Sequence, residues 1–546
     1  MLVTLLLAAI SFHSPVHYDI SLAGNFAEPR PNHFHGGTDV KTGQIEGKAI
    51  FSIGDGYVSE VSIGVGGYGN VVYVHHPEGY TSMYCHLKAF APNILAAARA
   101  WQYKHKQNGG VIMFNPTDLP VAQGQLIAIS GNTGASQAPH LHMELHETRT
   151  WDMMDPLDFI GAYVKDDLSP MAHGFMAYPQ EGEGSFCGGY EKQSFKFSSH
   201  NLTKIFSAWG KVGFGLWAND YSEITYNLLG VRRVELYMNG KLQFRSDTHR
   251  IPSDENLQVN SWGDYEHYMH YGVWYMRSFI PHGVSLPIFN TNKDRGIINF
   301  NKECDYHMKY ILYDFKGNKA EYTFTVHGHK TTFRKKTGSH PGRTLYWNRP
   351  NTYQLPGMSL TVGTDFLPEN VILQPVIERV PNGLSNEYRL MPISTTMFHY
   401  GQLAIRLNKK VENTHQLYID GNNGKDHYCG GRYENGYVIG KSRDLGATYK
   451  IKIDAEAPRL NPVNQGAWSS RKEIKMGIVD NESGIKSLSG YIDDRFVVFD
   501  EVPKSPWYKC DLMSTGVKRN GKMHTFKFMA EDNCGNKRVY TTQIKY

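Results

Sequence analysis

Three short stretches of this sequence carry residues that could bind a metal ion and move protons. They are His35-Gly-Gly-Thr-Asp39, Tyr84-Cys-His-Leu87, and Pro139-His-Leu-His142. A catalytic zinc ion takes three protein ligands, drawn from histidine nitrogens and carboxylate oxygens, and keeps its fourth position open. With four histidines and one aspartate, the three stretches predict a catalytic zinc site.

The spacing within the stretches favours convergence on one point. His35 and Asp39 are four residues apart, and the two glycines between them are expected to give the backbone the freedom to turn both side chains inward. His140 and His142 lie on the same side if they occupy a β-strand. The turn-forming segment 130–134 and the alternating apolar residues after His140 support that strand.

The set contains more candidate ligands than one zinc ion needs, so two of its histidines remain for proton transfer. A neutral imidazole beside an activated water acts as a general base, and its conjugate acid stabilises a developing oxyanion. The sequence has no His-Glu-x-x-His motif, so the base is not the glutamate of that zinc protease class. The predicted reaction is therefore hydrolysis at a polarised carbonyl.

Across about residues 17–160 the sequence resembles the lysostaphin/LytM-type zinc endopeptidases, which cut peptide bonds in bacterial cell-wall peptidoglycan. The resemblance is carried by motifs in a fixed order. They are Arg30-Pro-Asn-His-Phe-His-Gly-Gly-Thr-Asp39, Gly54-Asp-Gly56, Gly67-Tyr-Gly-Asn70, Tyr84-Cys-His-Leu87, Gly124-Gln-Leu-Ile-Ala128, Ser130-Gly-Asn-Thr-Gly134 and Pro139-His-Leu-His142.

The resemblance implies a role for each residue of the set. It implies Zn²⁺ as the cofactor, held by His35, Asp39 and His142. It also implies that His140 and His86 form the catalytic pair, without saying which of the two is the base.

Two positions depart from the pattern of this family. Ala27 stands where relatives usually have a glycine, and this change is expected to matter little. Gln137-Ala138 stands where a glycine usually precedes Pro-His-Leu-His, and it could alter the fit of the substrate.

Other histidines and the cysteines are expected to be structural. His146 is interpreted as an ordinary surface or core histidine, and Cys85 as a buried packing thiol that faces away from the neighbouring catalytic histidine. Six cysteines in 546 residues do not make a disulfide scaffold. Cys510 and Cys534 are the favoured pair if a disulfide forms, and free thiols are the alternative.

The predicted fold class is all-β, because short strands alternate with glycine-rich turns along the whole chain. We expect an antiparallel-sheet LytM-type peptidase domain followed by Ig-like β-sandwich modules. One Ala-rich insertion, 93–103, is predicted to be helical. The segment from there to about Leu119 could form a wall of the substrate groove or simply pack on the edge of the sheet.

Composition shifts and repeated turns suggest the domain boundaries. They predict an export segment at 1–16, a peptidase domain at 17–165, a linker or exposed loop around 180–184, β modules at 185–330 and 331–455, and an Ig-like module at 456–546. The stretch 312–319 repeats at 530–537, which indicates that the first and last modules are related. Their Asp/Asn turns lack a defined ligand series, so calcium is not predicted.

Charge and hydropathy narrow the function further. The formal net charge of +5 is spread out, so nucleic-acid binding is not predicted. The apolar run 2–10 resembles part of a signal peptide, and no transmembrane segment is expected in the mature chain. The predicted location is the periplasm, cell envelope or extracellular space. The predicted partners are peptidoglycan peptides and, through the modules, other envelope proteins.

Three other functions remain open at this point. The chain could be a non-catalytic LytM-type regulator that activates a separate cell-wall amidase, although such relatives typically lack some zinc ligands. It could be a surface-binding or adhesion protein in which the modules carry the function. It could also apply the same chemistry to secreted proteins.

Overall fold

A computed structural model of the chain describes residues 12–64, 66–222, 225–333 and 341–546. These residues form an N-terminal domain (12–164), a first module (171–333), a middle module (341–454) and a last module (459–546). Strands dominate all four units, and the predicted all-β fold class is confirmed.

The N-terminal domain is built on a ten-stranded sheet whose main order is β1-β4-β13-β8-β7-β6-β10, with a three-stranded sheet, β5-β12-β9, beside it. Its elements are β1 (Leu22–Gly24), β2 (Pro29–Arg30), β3 (His33–Phe34), β4 (Thr38–Lys41), β5 (Ala49–Phe51), β6 (Gly56–Ile63), β7 (Val71–His75), β8 (Tyr80–Cys85), β9 (Ala89–Phe90), α1 (Pro92–His105), β10 (Gly110–Met113), β11 (Pro120–Val121), β12 (Leu126–Ile129), β13 (His140–Glu147), β14 (Met153–Met154) and α2 (Leu157–Ile160). The central pair β4 and β13 carries the predicted site.

The predicted insertion helix is present as α1. Pro92 begins it, in a position where its missing N–H costs no hydrogen bond, and Lys106 ends it in a left-handed conformation. Ile94 and Ala98 lie on its buried face and pack into the core of the N-terminal domain. Its opposite side contacts the last module, through Arg99, so the helix lies between two units.

The predicted export segment overlaps the core. Residues 1–11, which include the apolar run, lie outside the described residues. Phe12 and Val16 are buried in the main core of the N-terminal domain, and Phe12 packs against the ring of His76 with centroids 4.9 Å apart. The predicted boundary at residue 17 is therefore wrong, because the segment 12–16 belongs to the domain.

The first module is an eleven-stranded sheet in which the long strand β17 pairs with several partners along its length. Its elements are β15 (Met171–Phe186), β16 (Gln193–Lys196), β17 (Asn201–Ser222), β18 (Thr225–Leu229), β19 (Arg233–Met238), β20 (Lys241–Asp247), β21 (Arg250–Ile251), α3 (Val259–Trp262), α4 (Tyr265–Tyr271), β22 (Met276–Arg277), β23 (Phe289–Thr291), β24 (Ile298–Phe300), β25 (Asp305–Tyr313) and β26 (Lys319–Gly328). β21 joins the sheet of the N-terminal domain by pairing with β14.

The predicted linker around 180–184 is wrong, and so is the module start at 185. Both lie inside β15, which pairs with β17 from Met171 onward. The register shifts between Pro179 and Gly184, so the glycine-rich stretch is an irregularity within a strand and not a connection between domains.

The middle module has two five-stranded sheets and one two-stranded sheet, the last module has two four-stranded sheets, and each module has one core. The middle module comprises β27 (Thr344–Leu345), β28 (Asn351–Leu355), β29 (Met358–Val362), β30 (Val371–Ile372), β31 (Val376–Glu378), β32 (Glu387–Arg389), β33 (Thr396–Arg406), β34 (Leu417–Asn422), β35 (Asp426–Tyr428), β36 (Arg432–Glu434), β37 (Tyr437–Asp444) and β38 (Thr448–Ile453). The last comprises β39 (Arg459–Pro462), α5 (Trp468–Arg471), β40 (Glu473–Val479), β41 (Ile485–Ile492), β42 (Arg495–Val497), β43 (Asp500–Glu501), β44 (Trp507–Asp511), β45 (Met523–Asp532) and β46 (Lys537–Lys545).

The favoured disulfide does not form. All six cysteines lie in the described residues, and each is a free thiol. Cys510 packs in the core of the last module, whereas Cys534 lies in the β45–β46 turn, where its thiol contacts the carbonyl oxygen of Gln416 in the middle module. Cys85 is fully buried among apolar neighbours, as predicted for a packing thiol.

No helix in the described part of the chain has both the length and the apolar character needed to cross a bilayer.

Candidate metal centre

Two neighbouring strands position most of the predicted site. Asp39 lies on β4, and His140 and His142 lie on β13, where antiparallel pairing sets His142 directly opposite Asp39. His35 lies in the short segment just before β4. The alternation of side chains along β13 gives His140 and His142 the same face of the sheet, as the sequence predicts.

The three implied zinc ligands meet in a tight cluster. His35 Nε2 and His142 Nδ1 lie 3.0 and 2.8 Å from Asp39 Oδ1, and 3.0 Å from each other. All three residues are buried. Ligands of tetrahedral zinc stand roughly 3.3 Å apart, so the three donor atoms have nearly the spacing that zinc requires.

Each donor is held from its far side by another group. His35 Nδ1 donates a hydrogen bond of 2.6 Å to the carbonyl oxygen of Asn25, and Arg30 Nη2 lies 2.8 Å from Asp39 Oδ2. His142 Nε2 donates to Glu144 Oε1 at 2.9 Å. These contacts fix the ring orientations and tautomers that direct the remaining lone pairs toward one point.

Glu144 is a residue of the candidate site that the sequence analysis does not predict, and His146, a buried core histidine as predicted, contacts it. Glu144 is 1% exposed, and His146 Nε2 donates to its second carboxylate oxygen at 2.7 Å. The signal was available, because Glu144 and His146 continue the i, i+2 series that begins at His140 and His142. The carboxylate of Glu144 thus links two imidazoles on one strand.

The predicted catalytic pair lies beside the cluster. The rings of His86 and His140 have centroids 4.9 Å apart, and His140 Nε2 lies 3.3 Å from Asp39 Oδ1. His140 Nδ1 donates to the carbonyl oxygen of Ala138 at 2.8 Å, and His86 Nδ1 donates to that of Thr133 at 2.9 Å. In the neutral form of each ring, Nε2 is therefore the nitrogen that carries no proton.

His86 also has an unusual backbone. Its φ of 60° is left-handed, which is uncommon for a residue other than glycine. Its backbone N–H donates to the carbonyl oxygen of Tyr68 at 3.0 Å. Strained residues of this kind cluster at functional sites, where the surrounding structure holds them in place.

The charged groups of the cluster are buried, and they compensate one another. Burial, together with the neighbouring His142 and His140, lowers the pKa of His86 to about 3, so this ring is neutral at pH 7. Burial would also lower the pKa of His142, but its hydrogen bonds to Asp39 and Glu144 raise that pKa to about 9. Two buried carboxylates thus stabilise positive charge at the position that a metal ion would occupy.

The two glycines between His35 and Asp39 are required for a reason other than the predicted one. Neither Gly36 nor Gly37 has a positive φ. A Cβ on Gly37 would collide with the backbone carbonyl of Met143 on β13, and one on Gly36 would collide with the carboxylate of Glu144. These glycines let two backbones approach closely, and backbone freedom is not what they supply.

The backbone conformation at Ala27 explains why relatives have a glycine at this position. Its φ is 60°, a conformation that glycine adopts without strain. Its N–H donates to the carbonyl oxygen of His35 at 2.8 Å, so this turn supports a zinc-ligand candidate directly. The substitution therefore carries backbone strain next to the site.

The last module also reaches the loop that precedes His140. Lys504 Nζ donates to the carbonyl oxygens of Gly134 and Ser136. The hydroxyl of Ser136 lies 3.2 Å from His140 Nδ1. On α1, Arg99 forms a bidentate ion pair with Asp500 of the last module. The β modules and the N-terminal domain are therefore in direct contact near the site.

Family models match two parts of the chain. Peptidase family M23 matches residues 33–96, a range that includes His35, Asp39 and His86, and a Zu5-like domain matches residues 342–454. A curated relative from Haemophilus influenzae, described as an uncharacterized metalloprotease, is 31% identical over 112 residues. That alignment spans 20% of this chain and only 18% of the relative.

Solved structures of related catalytic domains are also similar. The catalytic domain of lysostaphin from Staphylococcus simulans is 21% identical and covers 25% of this chain and 90% of its own, with a TM-score of 0.19. The catalytic domain of the M23 protein EnpA from Enterococcus faecalis is 21% identical and covers 26% and 88%, with a TM-score of 0.19. These TM-scores are too low to support an argument, so the identification rests on the family model, the curated relative and the ordered motifs. The N-terminal domain of this chain is a LytM-type domain of peptidase family M23.

Proposed function

We propose that this chain is an exported zinc metalloendopeptidase that hydrolyses peptide bonds of bacterial peptidoglycan, in its cross-links or its stem peptides. The observation that carries the proposal is the convergence of His35, Asp39 and His142, with His86 and His140 beside them. The M23 match supports metallopeptidase chemistry for the domain, while the substrate follows from the family resemblance alone.

The donor set fits zinc. Two imidazole nitrogens and one carboxylate oxygen form a donor set that is common at catalytic zinc sites, and each is held in place by Asn25, Glu144 or Arg30. His35, Asp39 and His142 would hold the ion. When bound, zinc supplies Lewis-acid chemistry, polarising a carbonyl and lowering the pKa of water.

His140 and His86 would move the protons. Each offers Nε2 as an acceptor, because each Nδ1 donates to a backbone carbonyl. One ring accepts the proton of the attacking water, and its conjugate acid then donates to the oxyanion or the departing amine. His140 is the more accessible, with 17% of its side chain exposed, so substrate would approach from its side of the cluster.

The β modules would position this domain on the wall or contact other envelope proteins. The contacts of Lys504 and Arg99 support a positioning role, because they attach the last module to both the loop before His140 and the helix α1.

The first experiment is release of soluble peptides from purified sacculi, followed by mass spectrometry. The zinc-loaded chain should release peptides, a chelated sample should not, and His140→Ala should lose most of the release. His105→Ala changes an exposed histidine of the same domain and should behave as the wild type.

Other outcomes would redirect the proposal. If folded, zinc-bound protein releases nothing but stimulates a cell-wall amidase, the regulator function is correct. If it cleaves casein and leaves sacculi intact, the chemistry stands and the substrate is wrong. If the fragment 171–546 alone binds cells or glycans as well as the full chain does, the adhesion function gains support.

A further inference from the structure

A second cluster of buried titratable groups lies where the N-terminal domain joins the first module. Asp166 comes from the connecting segment, Asp220 from the end of β17, and Asp314 from the turn between β25 and β26. One oxygen from each of the three carboxylates lies within 4.8 Å of the other two. All three residues are buried, with 4%, 1% and 4% of their surfaces exposed.

The three carboxylates differ in how they are satisfied. Asp314 Oδ1 accepts hydrogen bonds from the backbone of Gly317 and Asn318, at 2.7 and 2.9 Å. Asp166 Oδ1 accepts one from Leu168, at 3.2 Å. In contrast, neither carboxylate oxygen of Asp220 has a hydrogen-bond partner among the residues that the structure describes. A buried carboxylate left in this state is costly unless something compensates its charge.

Within the described residues, no basic side chain compensates the carboxylate of Asp220. Neither Asp220 nor Asp314 forms an ion pair with a lysine, arginine or histidine there. Burial and the neighbouring carboxylates of Asp166 and Asp314 raise the pKa of Asp220 to about 8. Three carboxylate oxygens therefore lie close together, and a bound cation would displace the proton that the raised pKa places on Asp220.

We propose that Asp166, Asp220 and Asp314 bind a divalent cation of the hard, oxygen-preferring class, namely Ca²⁺. This site is separate from the candidate zinc centre and does not depend on the proposed peptidase activity.

The donor set decides the metal class. Every donor is a carboxylate oxygen, whereas zinc prefers sites that include nitrogen or sulfur. Mg²⁺ keeps several waters and binds through one or two carboxylates, but this cluster offers three buried carboxylates. Ca²⁺ accepts such an oxygen set with flexible geometry, so it fits best.

The position of the cluster indicates what the ion would do. The turn 314–318 already contacts the connection, because Asn318 Nδ2 donates to the carbonyl oxygen of Asp166 at 3.2 Å. Lys316 Nζ donates to the carbonyl oxygen of Gly161, at the end of the N-terminal domain, at 2.7 Å. An ion held by three separate chain segments would fix the first module to the connecting segment.

A similar cluster of three aspartates lies where the last module begins, and it can be compared with the first. Asp454, Asp480 and Asp532 occupy similar places, in the connection before the module, just after β40 and at the end of β45, and they also converge within 4.8 Å. Here the charges have hydrogen-bond donors. Asp454 Oδ2 accepts from the hydroxyl and N–H of Ser483, and Asp480 Oδ1 accepts from Gly484 N–H at 2.7 Å. Only the cluster of the first module contains a carboxylate without a partner, so the proposal assigns the ion to that cluster.

The test uses the full chain, stripped of metal and titrated with CaCl₂. Equilibrium dialysis with metal analysis should show calcium bound by the wild type and one equivalent fewer bound by Asp220→Asn. Calcium should raise the midpoint of thermal unfolding by roughly 5–10 °C at a hundredfold excess over Kd. Magnesium should do much less. Asp294→Asn, which alters an exposed aspartate of the same module, should respond as the wild type.

A second measurement keeps the test valid if a variant folds poorly. Trypsin cleavage after Lys165, next to Asp166, should slow when calcium is added to the wild type and stay unchanged in Asp220→Asn. Without calcium at pH 7, Asp220→Asn should be about as stable as the wild type, because a carboxyl group with a pKa of about 8 is already mostly neutral there. Wild-type protein that takes up no calcium at 1 mM would overturn the proposal. The proposal would also fail if Asp220→Asn bound as much calcium as the wild type. It would fail as well if magnesium stabilised the wild type as much as calcium does and Asp220→Asn abolished that effect.

Discussion

The two buried clusters of this protein satisfy their charges in different ways. In the cluster of His35, Asp39 and His142, every donor also contacts a supporting group on its far side. In the cluster around Asp220, the carboxylate of that residue has no hydrogen-bond partner in the described part of the chain. The first cluster is satisfied without an ion, whereas the second is not.

The difference follows from the chemistry of the donors. An imidazole can carry a proton, so histidines and carboxylates can neutralise one another until a metal displaces the proton. Ionised carboxylates repel one another, so without hydrogen-bond donors or a cation one of them takes up a proton instead. The first cluster is therefore suited to an exchangeable catalytic ion, and the second to an ion that serves the structure.

Removing a zinc ligand should give the largest difference between the two clusters, because it should affect zinc binding and peptide release but not the calcium response. His142→Ala should lose zinc and lower peptide release by roughly 10³-fold or more, because the Lewis acid is lost. Its calcium response should be unchanged, since the two clusters share no residue. Metal analysis before and after adding each ion measures both effects. Stoichiometric zinc in this variant would show that the ligand assignment is wrong.

Close packing around the metal centre gives the next effect. Gly37→Ala should lower the free energy of unfolding by about 3 kcal/mol, because its Cβ would strike the backbone of β13. Gly466→Ala is the matched control, because it has open space and no positive φ, and should change stability by about 0.5 kcal/mol at most. Denaturant unfolding measures both, and equal stability of the two variants would contradict the packing argument.

The supporting carboxylate should matter less than a ligand. Glu144→Gln should weaken zinc affinity about 10- to 100-fold, because the amide cannot accept from both His142 and His146 as the carboxylate does. Glu78→Gln, at an exposed turn of the same domain, should leave the affinity unchanged. Competition with a chromogenic chelator measures the change, and wild-type affinity in Glu144→Gln would remove this residue from the site.

The smallest effect is expected at Ala27. Ala27→Gly loses a buried methyl group but relieves a left-handed φ, so stability should change by about 0.5 kcal/mol or less. Ala128→Gly, which loses a buried methyl group without a positive φ, should cost about 2 kcal/mol. Thermal and denaturant unfolding test the pair. Equal losses would show that Ala27 carries no strain.

How much the sequence predicts depends on how far apart the residues of a feature lie. The zinc set was predictable because its members occur in short motifs, such as His140 and His142 on one strand. Glu144 follows from the same alternation and could have been included. The carboxylates of Asp166, Asp220 and Asp314 come from three distant segments, so no local spacing predicts that they form a cluster.

The errors in the fold have local causes as well. The glycine-rich stretch 180–184 has the composition of a linker, but it forms an irregularity within β15, which composition cannot distinguish. The segment 12–16 follows an apolar run and was assigned to export, yet Phe12 and Val16 contribute to the core. Neither the pairing of 180–184 nor the burial of 12–16 can be predicted from nearby residues, because both depend on strands that come later in the chain.

The most direct test of the account measures zinc content and peptide release on one sample of His86→Ala. This residue lies beside the cluster but is not an implied ligand, so the variant should keep one zinc per chain. Its release of peptides from sacculi should fall about 10²- to 10⁴-fold, the usual contribution of general acid–base catalysis. Loss of zinc from the variant would make His86 a ligand, and full activity with zinc bound would remove it from the chemistry.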